Sequence, residues 1–145
     1  MTPEAGTIER DTHIPAPPDV VFAFFVEPDR VVRWMGDAAT LEARPGGTFR
    51  LEYARGEVAS GQYVEIDPPR HVAFTWGWES EGDPVPPGAS TVDVTLEPDG
   101  DGTLVGLRHS GLDATSVTGH EEGWDYFLPR LVAAVKAELA EDAPT

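Results

Sequence analysis

Hydrophobic residues recur along this chain with two different periods, and this change of period constrains the fold more than any other feature. From Ala39 to Arg108 apolar positions alternate with polar ones, which is the repeat of strands that have one buried face. From Thr118 to Glu141 they recur every three or four residues, as they do along one side of a helix. The pattern predicts an antiparallel sheet followed by one long helix, an α+β fold.

Turn sequences divide the alternating part into strands. Glycine and proline recur there in Pro45-Gly46-Gly47, Arg55-Gly56, Asp67-Pro68-Pro69 and Asp99-Gly100-Asp101-Gly102. The apolar members of the alternation include Phe49, Leu51, Tyr53, Val72, Phe74, Trp76, Val92, Val94, Leu96, Val105 and Leu107, and His109 continues the last series. We expect a curved meander of six to seven strands with one face against the core.

Two short helices are expected after the first strand. That strand covers Thr7–Ile14, and a proline cluster ends it because proline cannot donate to a ladder. Pro18 suits the first turn of a helix, and Pro28 divides the helical spacing that follows.

The C-terminal helix has a complete apolar stripe, formed by Trp124, Leu128, Leu131, Val135 and Leu139. Thr118 and Glu121 have the spacing of a capping box, which predicts the start of this helix. Pro129 lies within the stripe and predicts a kink. We expect the stripe to press against the apolar face of the sheet.

Composition excludes several classes of function. The 145-residue chain has no cysteine, so a disulfide, a thiolate metal site and a cysteine nucleophile are all ruled out. Its net charge of −16 repels phosphates and anionic lipids, and we expect no nucleic-acid or membrane partner. We also expect a cytoplasmic protein, because no apolar run is long enough for a membrane span and no signal segment is present.

A single domain over residues 7–141 is expected, with flexible ends at residues 1–6 and 142–145. The segment Glu79–Ser90 is rich in glycine and proline and cannot hold regular structure. Such a long connection is either a mobile rim or lid of a site or an ordinary surface loop.

Five segments, in order, resemble one known family. They read IPAPPDVVFAFFVEPDRVVRWMG, RPGGTFRLEY, GQYVEIDPPRHVAFTW, HSGL and GHEEGWDYFLPRLV. The chain resembles homologues of the activator of heat-shock-protein-90 ATPase, within the START-like (SRPBCC, helix-grip) superfamily. The resemblance implies a sheet wrapped around the C-terminal helix and a cavity between them. Members use this cavity for hydrophobic small molecules or for cyclisation chemistry, and the eukaryotic activators bind a chaperone.

A cavity in that position would be lined by the inward residues of the sheet and by the helix stripe. Most of these residues are apolar or aromatic, as is usual for small-molecule sites. The candidate ligand-binding residues are Phe25, Trp34, Phe49, Leu51, Tyr53, Phe74, Trp76, Val94, Leu107, His109, Trp124, Phe127 and Leu128. For each of them alone, ordinary core packing is the favoured interpretation, and only the set as a whole suggests a site.

His109 is the one candidate catalytic residue. At the end of an inward-facing series it could act as a general base, with Tyr53 as a second proton carrier, or simply satisfy nearby backbone groups. His120 is interpreted as part of the helix cap. No metal site or other cofactor is expected, because the four histidines form neither HxH nor HExxH.

Three functions remain open. The first is a noncatalytic protein that binds an apolar or aromatic small molecule. The second is an enzyme of the cyclase or isomerase type, and the third is an interaction module for a chaperone or another protein, which would use the acidic surface. The sequence leaves open whether the chain is a monomer or a homodimer.

Overall fold

The structure, a computed structural model, describes residues 6–142, with the backbone alone for residues 55 and 142. The strands are β1 (Ile8–Ile14), β2 (Ala38–Leu41), β3 (Thr48–Glu52), β4 (Val58–Asp67), β5 (His71–Trp76), β6 (Ser90–Asp99) and β7 (Gly102–Ser110). The helices are α1 (Pro18–Val26), α2 (Pro28–Val31) and α3 (Val117–Asp142). All strand pairs are antiparallel, in the order β1-β7-β6-β5-β4-β3-β2.

The predicted helix-grip architecture is confirmed. Seven strands precede the long helix, and two short helices follow the first strand. Proline occupies the first turn of both α1 and α2, where its missing N–H costs nothing. Pro129 lies inside α3, which continues beyond it to Asp142.

The start of α3 differs from the capping-box prediction. A 3-10 turn at Ala114–Ser116 runs directly into the helix, and the Asp113 carboxylate accepts a hydrogen bond of 3.0 Å from the Thr115 backbone N–H. Thr118 therefore lies within the first turn of α3 and does not cap it. The prediction was wrong because the polypeptide begins to turn several residues before the apolar stripe appears.

One apolar core joins the inner face of the sheet to α1 and α3. The inward members of β6, Val92, Val94 and Leu96, are at most 1% exposed, whereas Thr95 between them is exposed. From α3, Leu131 and Val135 are completely buried in the same cluster. A register shift between Tyr63 and Glu65 of β4 is the kind of irregularity at which a sheet bends.

The predicted flexible ends fall largely outside the described residues, since residues 1–5 and 143–145 are not among them. Gly6 is buried, and its carbonyl accepts a 3.1 Å hydrogen bond from the Leu112 N–H. Its φ of 81° and the 2.2 Å that would separate a Cβ from the Leu112 oxygen both require glycine. Within residues 6–142, no helix is long and apolar enough to cross a membrane.

Candidate functional site

A cavity lies between one end of the sheet and the N-terminal half of α3. Its volume is about 270 Å³, just below the range of roughly 300–1,000 Å³ for small-molecule pockets. The wall combines residues from the turn after α2, the ends of β3 and β5, the β5–β6 loop and the start of α3. They are Met35, Tyr53, Trp76, Trp78, Asp83, Pro84, Thr115, Ser116, Gly119, His120, Gly123, Trp124 and Phe127.

Five aromatic rings of this wall are linked by ring contacts. Trp76 lies 5.5 Å from Trp78 and 6.1 Å from Trp124, measured between ring centroids. Tyr53 continues the wall at 5.6 Å from Trp78 and 6.0 Å from Phe127. None of these pairs is stacked face to face, and the rings meet at angles between 45° and 85°.

Two glycines keep the helix side of the cavity open. Gly119 and Gly123 are four residues apart in α3 and therefore on the same face. A Cβ built on either would meet no atom within 4 Å. In a helix interior a glycine costs about 1 kcal/mol relative to alanine, so Gly123 makes α3 less stable here while the space beside it stays unfilled.

The β5–β6 loop forms the other side of the cavity. Val85 anchors it, with 1% of its surface exposed and its carbonyl accepting a 2.7 Å hydrogen bond from the Trp78 N–H. The Val85 N–H in turn donates to Oδ1 of Asp83 over 2.8 Å. These contacts hold Asp83 and Pro84 at the wall, so the segment predicted as a lid or surface loop contributes directly to the site.

His109 lies behind this wall and has no free nitrogen. It is 0% exposed, and its Nδ1 accepts a 3.1 Å hydrogen bond from the Trp124 indole. The Ser90 hydroxyl, 2.8 Å from Nε2, donates to the Trp76 carbonyl, so Nε2 carries the proton and donates to Ser90. Burial, and then repulsion from His120, lower the pKa of His109 to about 3. The imidazole is therefore neutral. Its two hydrogen bonds hold the Trp124 indole and, through Ser90, the Trp76 carbonyl in place.

His120 lies in the wall itself, which corrects its interpretation as a helix cap. Its Nδ1 is 2.8 Å from the Ser116 carbonyl and donates to it, while Nε2 accepts a 3.1 Å hydrogen bond from the Trp78 indole. The His120 and His109 rings contact each other at 5.3 Å and 90°. Each histidine thus fixes one tryptophan of the cavity.

Two residues of the wall each have a polar group without a protein partner. The indole nitrogen of Trp76, a residue that is 3% exposed, is buried without a hydrogen-bond partner among the described residues. Tyr53 makes ring contacts, but its hydroxyl forms no hydrogen bond within residues 6–142. Burial, and then the charge of Glu57, raise the pKa of Tyr53, so the hydroxyl keeps its proton.

The structure separates the predicted ligand residues into two groups. Tyr53, Trp76, Trp124 and Phe127 line the cavity. The others pack into the core away from it: Phe25, Trp34, Phe49, Leu51, Phe74, Val94, Leu107, His109 and Leu128. In that group, for example, the rings of Phe49 and Phe74 stack 4.0 Å apart and fill the space in front of the central strands.

The sequence offered the loop Glu79–Ser90 as a rim or lid in one of two readings without singling out any of its residues, and the glycine part of the wall was missed. Trp78 continues the alternation of β5 beyond the strand end, and two glycines in a helical pattern signal open space. Asp83 and Pro84 carried no comparable signal. Among the described residues no three His, Cys, Asp or Glu side chains lie close enough to hold a metal ion.

An antiparallel sheet around a long C-terminal helix, with a cavity between them, defines the helix-grip class. The chain belongs to the family described as "Activator of Hsp90 ATPase homolog 1-like protein", whose profile matches residues 15–136. No match was found among the curated proteins.

Solved structures extend the likeness. An AHSA1-like protein from Rhizobium etli, solved by solution NMR, is 38% identical with a TM-score of 0.69, over 92% of this chain and 83% of that one. CalU16 from Micromonospora echinospora is 29% identical with a TM-score of 0.73, over 93% and 79% of the two chains. DynU16, a putative protein in the dynemicin biosynthetic locus, shares the fold at 23% identity and a TM-score of 0.78, over 92% of this chain and 48% of that one.

Proposed function

We propose that this protein binds a small apolar or aromatic molecule in the cavity between the sheet and the start of α3. The observation that carries this is the pairing of an aromatic wall with two helix glycines that leave room beside it. An ordinary core would use that face of α3 for larger side chains, which stabilise both the helix and the packing. DynU16, which has the same fold, is described as a protein of a biosynthetic locus, and this agrees with the proposal that the present chain binds a small molecule.

A direct test follows the four indole N–H signals by NMR while the uncharged bicyclic hydrocarbon tetralin is added. We expect the signals of Trp76, Trp78 and Trp124 to shift, since these residues line the cavity. Trp34 is the internal reference, because its indole donates to the Phe24 carbonyl over 2.9 Å within the packed core. Shifts that are no larger for the three wall tryptophans than for Trp34 would contradict binding in the cavity.

A filled-cavity variant makes the test specific. Gly123→Leu places a side chain in the open space, so we expect tetralin binding to fall at least tenfold while the thermal unfolding temperature is maintained or rises. Ala140→Leu, at an exposed position of the same helix, is the matched control and keeps the affinity. Equal tetralin affinity in both variants would locate the binding elsewhere.

Catalysis by His109 has less support. Both of its ring nitrogens are occupied, and it is absent from the cavity wall. A general base must reach the proton that it removes, directly or through one water. We therefore assign His109 a structural role, in which it orients Trp124 and, through Ser90, the backbone of Trp76.

Contact with a chaperone is a second candidate function, favoured by the family to which the chain belongs. A net charge of −16 would attract a basic partner surface. If this function holds, the protein added to Hsp90 at low ionic strength changes its ATPase rate, and salt weakens the effect. An ATPase rate that stays constant at low ionic strength removes this candidate and leaves the cavity proposal intact.

A further inference from the structure

The charges at the cavity wall have one sign. Asp83 is half-buried where the β5–β6 loop borders the cavity, and no lysine or arginine is among the wall residues whose side chains the structure describes. His120, the one basic side chain of that wall, accepts the Trp78 indole N–H on Nε2, as a neutral imidazole does. A second carboxylate acts on the same space, because the charge of Glu57 adds to burial in raising the pKa of Tyr53. The fixed charges therefore favour a cationic guest.

The Asp83 carboxylate is held in place through one of its oxygens. Oδ1 accepts the 2.8 Å hydrogen bond from the Val85 N–H, whereas Oδ2 has no partner among the side chains and backbone that the structure describes. Glu79, at the start of the same loop, is by contrast paired with Arg50 over 3.1 Å. A half-buried carboxylate has lost part of its hydration, so a cation that reaches Oδ2 from the cavity would restore a charged partner.

The wall also changes in polarity from its floor to its mouth. Met35, Trp76 and Trp124 are at most 4% exposed and form the apolar floor. Thr115, which is exposed, and the half-buried Asp83 border the mouth. A guest that matches this arrangement has an apolar or aromatic body for the floor and a charged group for the mouth, where water still reaches it.

We propose that the cavity selects protonated amines with an apolar or aromatic body, and that the Asp83 carboxylate recognises their ammonium group at the mouth. This inference rests on the proposed binding function and specifies its ligand class. The ammonium group donates a charge-assisted hydrogen bond to Oδ2, and the aromatic wall adds to the attraction because the faces of aromatic rings are negative. An anionic ligand is repelled by Asp83 and by the net charge of −16.

Four compounds with one skeleton test this by NMR titration of the indole N–H signals. They are tetralin, 2-aminotetralin as its ammonium ion, the neutral alcohol 2-tetralol, and tetralin-2-carboxylate. We expect the ammonium compound to bind about tenfold more tightly than tetralin, as for one hydrogen bond to a charged group near solvent. The alcohol should resemble tetralin, and the carboxylate should bind most weakly. An alcohol or carboxylate that binds as tightly as the ammonium compound overturns the inference.

One substitution tests the assigned carboxylate. Asp83→Asn removes the charge but keeps the oxygen that accepts from the Val85 N–H, so the loop should keep its shape. Glu81→Gln is the matched control, because it removes the same charge from an exposed position of the same loop outside the wall. We expect the affinity for 2-aminotetralin to fall about tenfold in Asp83→Asn and to change by less than about twofold in Glu81→Gln. An equal loss in both variants, or no loss in Asp83→Asn, overturns the inference.

Salt gives an independent measurement on the unaltered protein, which covers the case in which Asp83→Asn disturbs the loop. The preference for 2-aminotetralin over tetralin should shrink as the ionic strength rises, while tetralin affinity does not decrease. A preference that is independent of salt contradicts recognition by charge. If tetralin binds without any preference for the ammonium compound, this inference alone fails; if none of the four compounds binds, the proposed function fails with it.

Discussion

The two ends of the helix–sheet interface contain the same types of aromatic residue, but one end is tightly packed and the other is open. The packed end comprises Trp34, Phe49, Tyr63 and Phe74, and the open end comprises Tyr53, Trp76, Trp78, Trp124 and Phe127. At the packed end the Trp34 indole and the Tyr63 hydroxyl each donate over 2.9 Å to a carbonyl of α1. At the open end Trp76 and Tyr53 have no such partner.

The difference follows from the element that covers each end of the interface. Helix α1 covers the packed end, where it supplies both apolar side chains and the carbonyls of Phe24 and Phe25. The open end is covered by a loop and by the glycine face of α3. Aromatic residues therefore form a solid core at one end and the wall of a cavity at the other.

The largest contrast should appear when an aromatic ring is removed from each end. Phe74→Ala deletes a ring that is 1% exposed and stacked on Phe49, so we expect a loss of about 3–5 kcal/mol in the free energy of unfolding. Phe127→Ala deletes a half-buried ring beside the cavity and should cost only about 1 kcal/mol. Urea titration measures both, and equal losses would erase the distinction between the two ends.

An intermediate effect should come from His109, behind the open end. Its folded pKa of about 3 is below the ordinary histidine value, about 6.5, so the unfolded chain takes up the proton first as the pH falls. Stability contributed by neutral His109 is complete above pH 6.5 and decreases on acidification, by about 2 kcal/mol between pH 6.5 and 4.5. Urea titrations across this window measure the loss, and His109→Gln should flatten it.

His71 provides the control for that pH window. Burial lowers its pKa, but hydrogen bonds and charge from Asp93 and Glu65 outweigh this, and the pKa is raised overall. Its contribution is therefore fully present below the unfolded value of about 6.5 and is lost only at higher pH.

A histidine ring signal of His109 that titrates near pH 6.5 in the folded protein would contradict the assignment of a buried, neutral ring.

The smallest effects should come from the two tyrosine hydroxyls. Tyr63→Phe leaves the buried Phe25 carbonyl without its donor, and we expect a loss of about 1–2 kcal/mol. Tyr53→Phe breaks no protein hydrogen bond and should stay within about 0.5 kcal/mol of the parent. Thermal and urea unfolding of the pair measure the difference; a large loss for Tyr53→Phe would mean that its hydroxyl already serves the fold.

The sequence predicted the fold far better than the extent of the site. Alternation in Phe49 and Leu51 identifies an inward face, and so does the spacing of Leu128 and Leu131 on α3, yet neither reveals whether the opposing space is filled. Direction alone groups Phe49 and Leu128 with Trp76 as candidate ligand residues, although only Trp76 borders the cavity. Periodicity shows which way the side chains of an element point. Whether the opposing space is filled depends on which side chains from distant segments meet there.

Local periodicity and proline placement are enough to predict the antiparallel sheet, the two short helices and the final amphipathic helix. The position of the cavity, the burial of His109 behind it and the unpaired indole N–H of Trp76 could not be predicted in this way. The physical reason is that volume and hydrogen-bond partners are properties of residues far apart in the chain, brought together only when the elements pack.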